Sequence, residues 1–109
     1  MRIEVCDEGR HFDVQTRCYA EYRLFLALVS LAESVRHATV RLSRVTPGRD
    51  VQGANDLVSC TASITLETGR QLDVATEGEH PSGAIDRLAQ RAAAALEVDM
   101  TAHSNAGGP

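Results

Sequence analysis

Apolar and polar residues alternate over residues 2–7, with Ile3 and Val5 on one side of the chain and Arg2, Glu4 and Cys6 on the other. That is the period of a half-buried strand. Asp7-Glu8-Gly9 reads as a turn. Over residues 13–34 the period changes to three and four: Val14, Cys18, Tyr22, Phe25, Val29 and Ala32 fall on one stripe, which predicts a helix opened by Asp13 or Thr16. Leu24, Leu28 and Leu31 widen its apolar arc beyond half the circumference. A helix that touches both a sheet and a second helix needs such an arc; so does one that meets a second copy of the chain. Period two then returns. Ala38, Val40 and Leu42 oppose His37, Thr39, Arg41 and Ser43, and residues 47–55, with Pro47 and two glycines, form a loop. Val58, Cys60, Ala62, Ile64 and Leu66 alternate with serines and threonines, Thr68-Gly69 turns the chain, and Leu72 and Val74 oppose Asp73, Ala75 and Glu77. Pro81 suits the first turn of a second helix, whose buried stripe is Ile85, Leu88, Ala89, Ala92 and Leu96.

The order β-α-β-β-β-α predicts an α+β fold: a two-layer sandwich with a four-stranded mixed sheet and both helices on one face. The first strand should run parallel to the strand after the helix, through a right-handed crossover. The other neighbours should pair antiparallel through hairpins. One sheet face is then apolar and covered, the other polar, rich in Ser and Thr, and open to water.

At 109 residues one domain with its own core is expected. All 11 basic residues are arginine and the net charge is -4, which argues against indiscriminate nucleic-acid binding but leaves room for a local basic patch. Cys6, Cys18 and Cys60 make an odd count with no leader pattern before them, so free thiols in a cytoplasmic setting are expected. No apolar run is long enough for a bilayer, so no membrane partner is expected.

Catalytic signals are absent. Cys18 and Cys60 lie on the predicted buried stripes and read as core residues, and Cys6 has no activating neighbour. No spacing of Cys and His suits a metal, no Gly-rich loop suits a phosphate, and no cofactor is expected. Asp86, near a helix start, reads as structural. What remains is arginine. Arg36, Arg41, Arg44 and Arg49 form the one locally basic segment; Arg87 and Arg91 share a helix face; Arg17 and Arg23 lie on the polar side of the first helix. Such side chains grip phosphates with a planar fork, or stand as solvated surface charge.

Several short motifs, taken together, resemble the ribosome hibernation-promoting factor family, the ribosome-associated inhibitors also called sigma-54 modulation proteins. They are Arg-Ile-Glu-Val at 2–5, Ala-Thr-Val-Arg-Leu at 38–42, the Cys-bearing strand ending at Cys60, and Glu-Gly-Glu-His-Pro-Ser-Gly-Ala-Ile-Asp-Arg-Leu at 77–88. Within the last, Gly78, Ala84, Ile85 and Asp86 match the family's signature, and Arg91 falls where the family carries a basic residue. The resemblance implies a hibernation factor-like domain over residues 1–97, of the short type; the composition after Met100, Thr, Ala, His, Ser, Asn, Gly and Pro, makes 98–109 an expected disordered tail. It implies the small ribosomal subunit and its rRNA as partner, translation inhibited by steric occupation in a stress response, no catalysis, and rRNA contacts from Arg23, Arg36, Arg41, Arg44, Arg87 and Arg91.

A second expectation stands beside it. Neither helix is net basic: Arg17 and Arg23 face Asp13, Glu21 and Glu33, while Arg87 and Arg91 face Asp86 and Glu97. On that reading the chain is an acidic protein-interaction module of the same fold that no longer binds ribosomes, with Leu24, Leu28 and Leu31 forming a homodimer contact.

Overall fold

A computed structural model describes the chain over residues 1–45 and 57–106, with side chains as far as 101. The loop expected at 47–55, with Arg49, lies outside the described residues. The strands are β1 (Arg2–Asp7), β2 (Val35–Val45), β3 (Leu57–Leu66) and β4 (Gln71–Gly78); the helices are α1 (Val14–Leu28) and α2 (Pro81–Ala106). They form one four-stranded sheet in the order β1-β2-β3-β4. β1 pairs with β2 in parallel, and β2–β3 and β3–β4 pair antiparallel. The α+β sandwich predicted from periodicity is therefore the observed fold.

Local chemistry explains most of the boundaries. Asp13 caps α1, its carboxylate accepting the Thr16 backbone N–H at 2.8 Å. Hydrogen bonds from Thr16 hold that carboxyl below its ordinary pKa. After Leu28 the chain tightens into a 3-10 segment, Val29–Ser34, kinked at Leu31, before entering β2. The hairpin between β3 and β4 turns at Gly69, whose φ of 92° is costly for any residue with a Cβ. β2 carries an irregularity at Arg36, between the Val35–Leu66 and His37–Thr65 pairs.

The core lies between sheet and helices. Ala38, Val40, Leu42, Val58, Cys60, Ala62, Ile64 and Leu66 meet Ala20, Leu24 and Leu28 of α1 and Ala84, Ile85, Leu88, Ala92 and Leu96 of α2. Thr76 is buried among them, and its hydroxyl donates to the Ala84 carbonyl at 2.8 Å, fastening the start of α2 to β4.

The structure decides between the two readings of the wide apolar arc of α1: Leu24 and Leu28 are 1% and 0% exposed, and Leu31 packs against the core, as a helix that touches both the sheet and a second helix requires. They offer no homodimer contact. Val14, Tyr22, Phe25 and Val29 instead lie on the surface, with Cys18 beside them. The reason is positional. α1 lies over β1 at the sheet's edge, so its outer flank has nothing to cover it.

α2 runs unbroken from Pro81 to Ala106. Met100 packs on the core, and Asp99, 6% exposed, accepts from Arg70 at 3.0 Å. That pair ties the last third of the helix to the β3–β4 turn.

Candidate nucleic-acid interface

The candidate arginines divide by what holds them. Arg23, on α1, donates from Nε to Asp86 Oδ1 at 3.0 Å, and the Tyr19 hydroxyl donates to the same oxygen at 2.5 Å. This three-way junction joins α1 to α2. The bond to Asp86 raises the pKa of the Tyr19 phenol. Arg36, at the β2 irregularity, donates to the Glu67 carbonyl at 3.2 Å and lies 3.8 Å from the Glu67 carboxylate. Arg41, on the open sheet face, lies 3.9 Å from Glu8. A carboxylate therefore offsets the charge of each of these residues.

Arg44, Arg87 and Arg91 are held differently. The Arg44 guanidinium sits over the Phe12 ring, 5.1 Å from its centroid. Phe12 is set there by Asp7, whose carboxylate accepts the backbone N–H groups of His11 and Phe12 at 3.1 and 2.8 Å. Arg87 Nη2 donates to the Glu77 carbonyl, and Arg91 Nη1 donates to the Ala75 carbonyl at 2.8 Å. Among the described residues the partners of these side chains are neutral, so their full charge faces solvent. Each guanidinium has five N–H donors, and Arg87 and Arg91 each give one to a carbonyl.

The pairing of Arg87 and Arg91 with β4 follows from pitch. Four residues of helix advance about 6 Å. Two residues of strand advance about 6.6 Å. Side chains at i and i+4 on α2 thus match carbonyls two apart on β4. β4 is an edge strand, and the two arginines occupy acceptors that would otherwise be open to another strand. Gly78 makes room for this: a Cβ there would collide with Arg87 Nη2.

Register brings two of the cations to one end. Arg44 pairs with Val58, and Val58 with Gly78, over which Arg87 lies. Arg44 and Gly78 therefore share a row and are two strand spacings apart, about 10 Å between backbones. Both helices also begin at this end, where their dipoles are positive. Arg91 extends the group one helical turn along β4. Arg23, Arg36 and Arg41 do not join it: Arg23 lies between the helices, Arg36 at the opposite end of β2, and Arg41 on the other sheet face.

The remaining candidates are plain. Asp86 is structural, as expected, and Cys60 is fully buried, its thiol pushed up to about 11 by desolvation. Cys18, expected in the core, is exposed. The open sheet face carries a small polar network in which Asp73 accepts from Gln71 at 3.0 Å and Ser63 at 2.8 Å, bonds that hold its carboxyl below the ordinary range. Among the described residues no three His, Cys, Asp or Glu side chains gather as a metal would require, and no helix is long and apolar enough to cross a membrane. Sequence reasoning missed Tyr19 and Asp99. Each acts on a partner tens of residues away, which no local spacing records.

No family model and no curated protein matches the chain. Solved structures do. A ribosomal subunit interface protein from Coxiella burnetii superposes with a TM-score of 0.67 at 14% identity, over 96% of this chain and 99% of its own. The chain has the fold of that protein. The Protein Y N-terminal domain of Thermus thermophilus has it too, with a TM-score of 0.64 at 21% identity, over 86% of this chain and 93% of the other.

Proposed function

We propose that this chain is a ribosome-associated protein of the hibernation type. It binds the small ribosomal subunit at its rRNA and inhibits translation by occupying space. It works in the cytoplasm, under stress, without catalysis or a cofactor. The resemblance of its motifs and the shared fold with a ribosomal subunit interface protein support the reading. The observation that carries it is the set Arg44, Arg87 and Arg91, held in place by neutral groups, with no carboxylate partner among the described residues. A guanidinium already fixed by one carbonyl loses less freedom on meeting a phosphate than a free side chain does. Arg23, Arg36 and Arg41 are secondary contacts, because each must first exchange a carboxylate for a phosphate.

Co-sedimentation of the purified protein with isolated ribosomal subunits at low salt tests this. Migration with the small subunit and not the large one is expected. Failure to migrate with either at low salt contradicts the proposal.

A further inference from the structure

The two edges of the sheet are treated in opposite ways. β4 is sealed by Arg87 and Arg91. β1 is the other edge, and among the described residues no side chain hydrogen-bonds to its backbone as Arg87 and Arg91 do to that of β4. A free edge is a template for another strand. Here it borders an uncovered apolar helix flank: Met1, Tyr22, Phe25 and Val29 are 38%, 58%, 46% and 44% exposed. Between edge and helix runs an open groove of about 350 Å³, lined by Met1, Ile3, Cys18, Glu21, Tyr22 and Phe25. Apolar side chains clustered beside a free edge are what an interface core requires.

We propose that this surface binds a second copy of the chain, β1 against β1 in antiparallel pairing about a two-fold axis at Ile3. The charge pattern of the strand argues for self-association. Arg2 and Glu4 both point to the open face, where within one chain they pair with each other at 3.0 Å. An antiparallel two-fold centred on Ile3 sets Arg2 of each copy opposite Glu4 of the other, giving two cross-strand ion pairs. Centring one residue further on would oppose Glu4 to Glu4, like charge against like; two further on places Arg2 opposite Glu8 and Glu4 opposite Cys6. The Ile3 centre also keeps Ile3 and Val5 of both copies on the helix side. It brings the Tyr22 and Phe25 flanks together above the joined strands. The arginine-sealed β4 edges fall at the far ends of the resulting eight-stranded sheet, so the dimer leaves Arg87 and Arg91 free for another partner.

Light scattering after size-exclusion chromatography, run from low to high micromolar protein, tests the proposal. The mass should rise from 11.8 kDa toward twice that value. Phe25→Glu should weaken association by at least about tenfold, as expected for an anchor at the centre of an interface. Circular dichroism should show the fold retained, because Phe25 lies outside the core. Arg2→Glu should also weaken it, and Arg2→Glu combined with Glu4→Arg should restore it, since the exchanged charges again face each other. A monomer at every concentration overturns the proposal. A dimer indifferent to Phe25→Glu, or a charge exchange that fails to restore association, overturns it as well.

Discussion

Asp86 accepts from both Tyr19 and Arg23, and through them one carboxylate joins the two helices. Charge-assisted hydrogen bonds of this kind stabilise by about 1.5–3 kcal/mol when buried. The Asp86 side chain is 40% exposed, so solvent screening lowers the expected cost of Asp86→Ala to about 1 kcal/mol. The same substitution should return the Tyr19 phenol toward its ordinary pKa, measurable by ultraviolet titration. Cys60 makes a second residue-scale prediction. Its thiol is raised from 9.0 to about 11 by burial, so the folded state holds the proton more tightly than the unfolded chain. Its stabilising effect is complete below pH 9 and is lost as the pH rises through 11. Tyr19, also raised, acts in the same direction. Asp13 and Asp73, both lowered, act in the opposite sense: their contribution is present above the ordinary carboxylate pKa of 3.8 and lost as the pH falls below it. Denaturation midpoints measured against pH should therefore be flat near neutrality and fall at both ends. The alkaline fall should be smaller in a Cys60→Ala variant, relative to its own neutral value.

At the scale of the element, α1 was legible as a helix and illegible as to which side is buried. Its sequence offers two apolar stripes, and period alone ranks them wrongly. Val14, Cys18, Tyr22, Phe25 and Val29 make the longer regular series. The core takes Ala20, Leu24 and Leu28, because the neighbouring α2 and the position of β1 at the sheet edge decide which side meets other atoms. Only the register of tertiary packing carries that information. Leu24→Ala should therefore cost about 2–4 kcal/mol, the range for a buried leucine. Phe25→Ala should cost under about 1 kcal/mol. Urea unfolding of both variants checks the assignment, and equal costs would reverse it. The four strands were legible from their alternation, each with one covered face; the irregularity at Arg36 in β2 was not, because it arises in the pairing with β3. The partner of Asp99 was not legible at all: Arg70 lies on a turn that nothing in the local pattern connects to it.

For the whole molecule, the layer order and strand directions followed from the sequence of periods. The arginines did not, since their value as phosphate ligands depends on what neutralises them. Arg36 and Arg41 belong to the densest basic segment of the chain, yet in the fold Glu67 and Glu8 lie beside them. Arg87 and Arg91, in a helix with no net positive charge, meet only neutral partners among the described residues. A molecule of net charge -4 can still hold arginines along one edge whose partners among the described residues are all neutral. That makes the expected binding local in origin, and salt-dependent in proportion to the few phosphates engaged. The most direct test is the affinity for the small ribosomal subunit measured against salt concentration, for the natural chain and for the Arg87→Ala/Arg91→Ala variant. With Arg44, Arg87 and Arg91 each neutralising one phosphate, the log–log slope should be about -2 to -3, and the double variant should bind more weakly with a slope shallower by about 1.5. Equal affinity and equal slope in the two proteins would contradict the account.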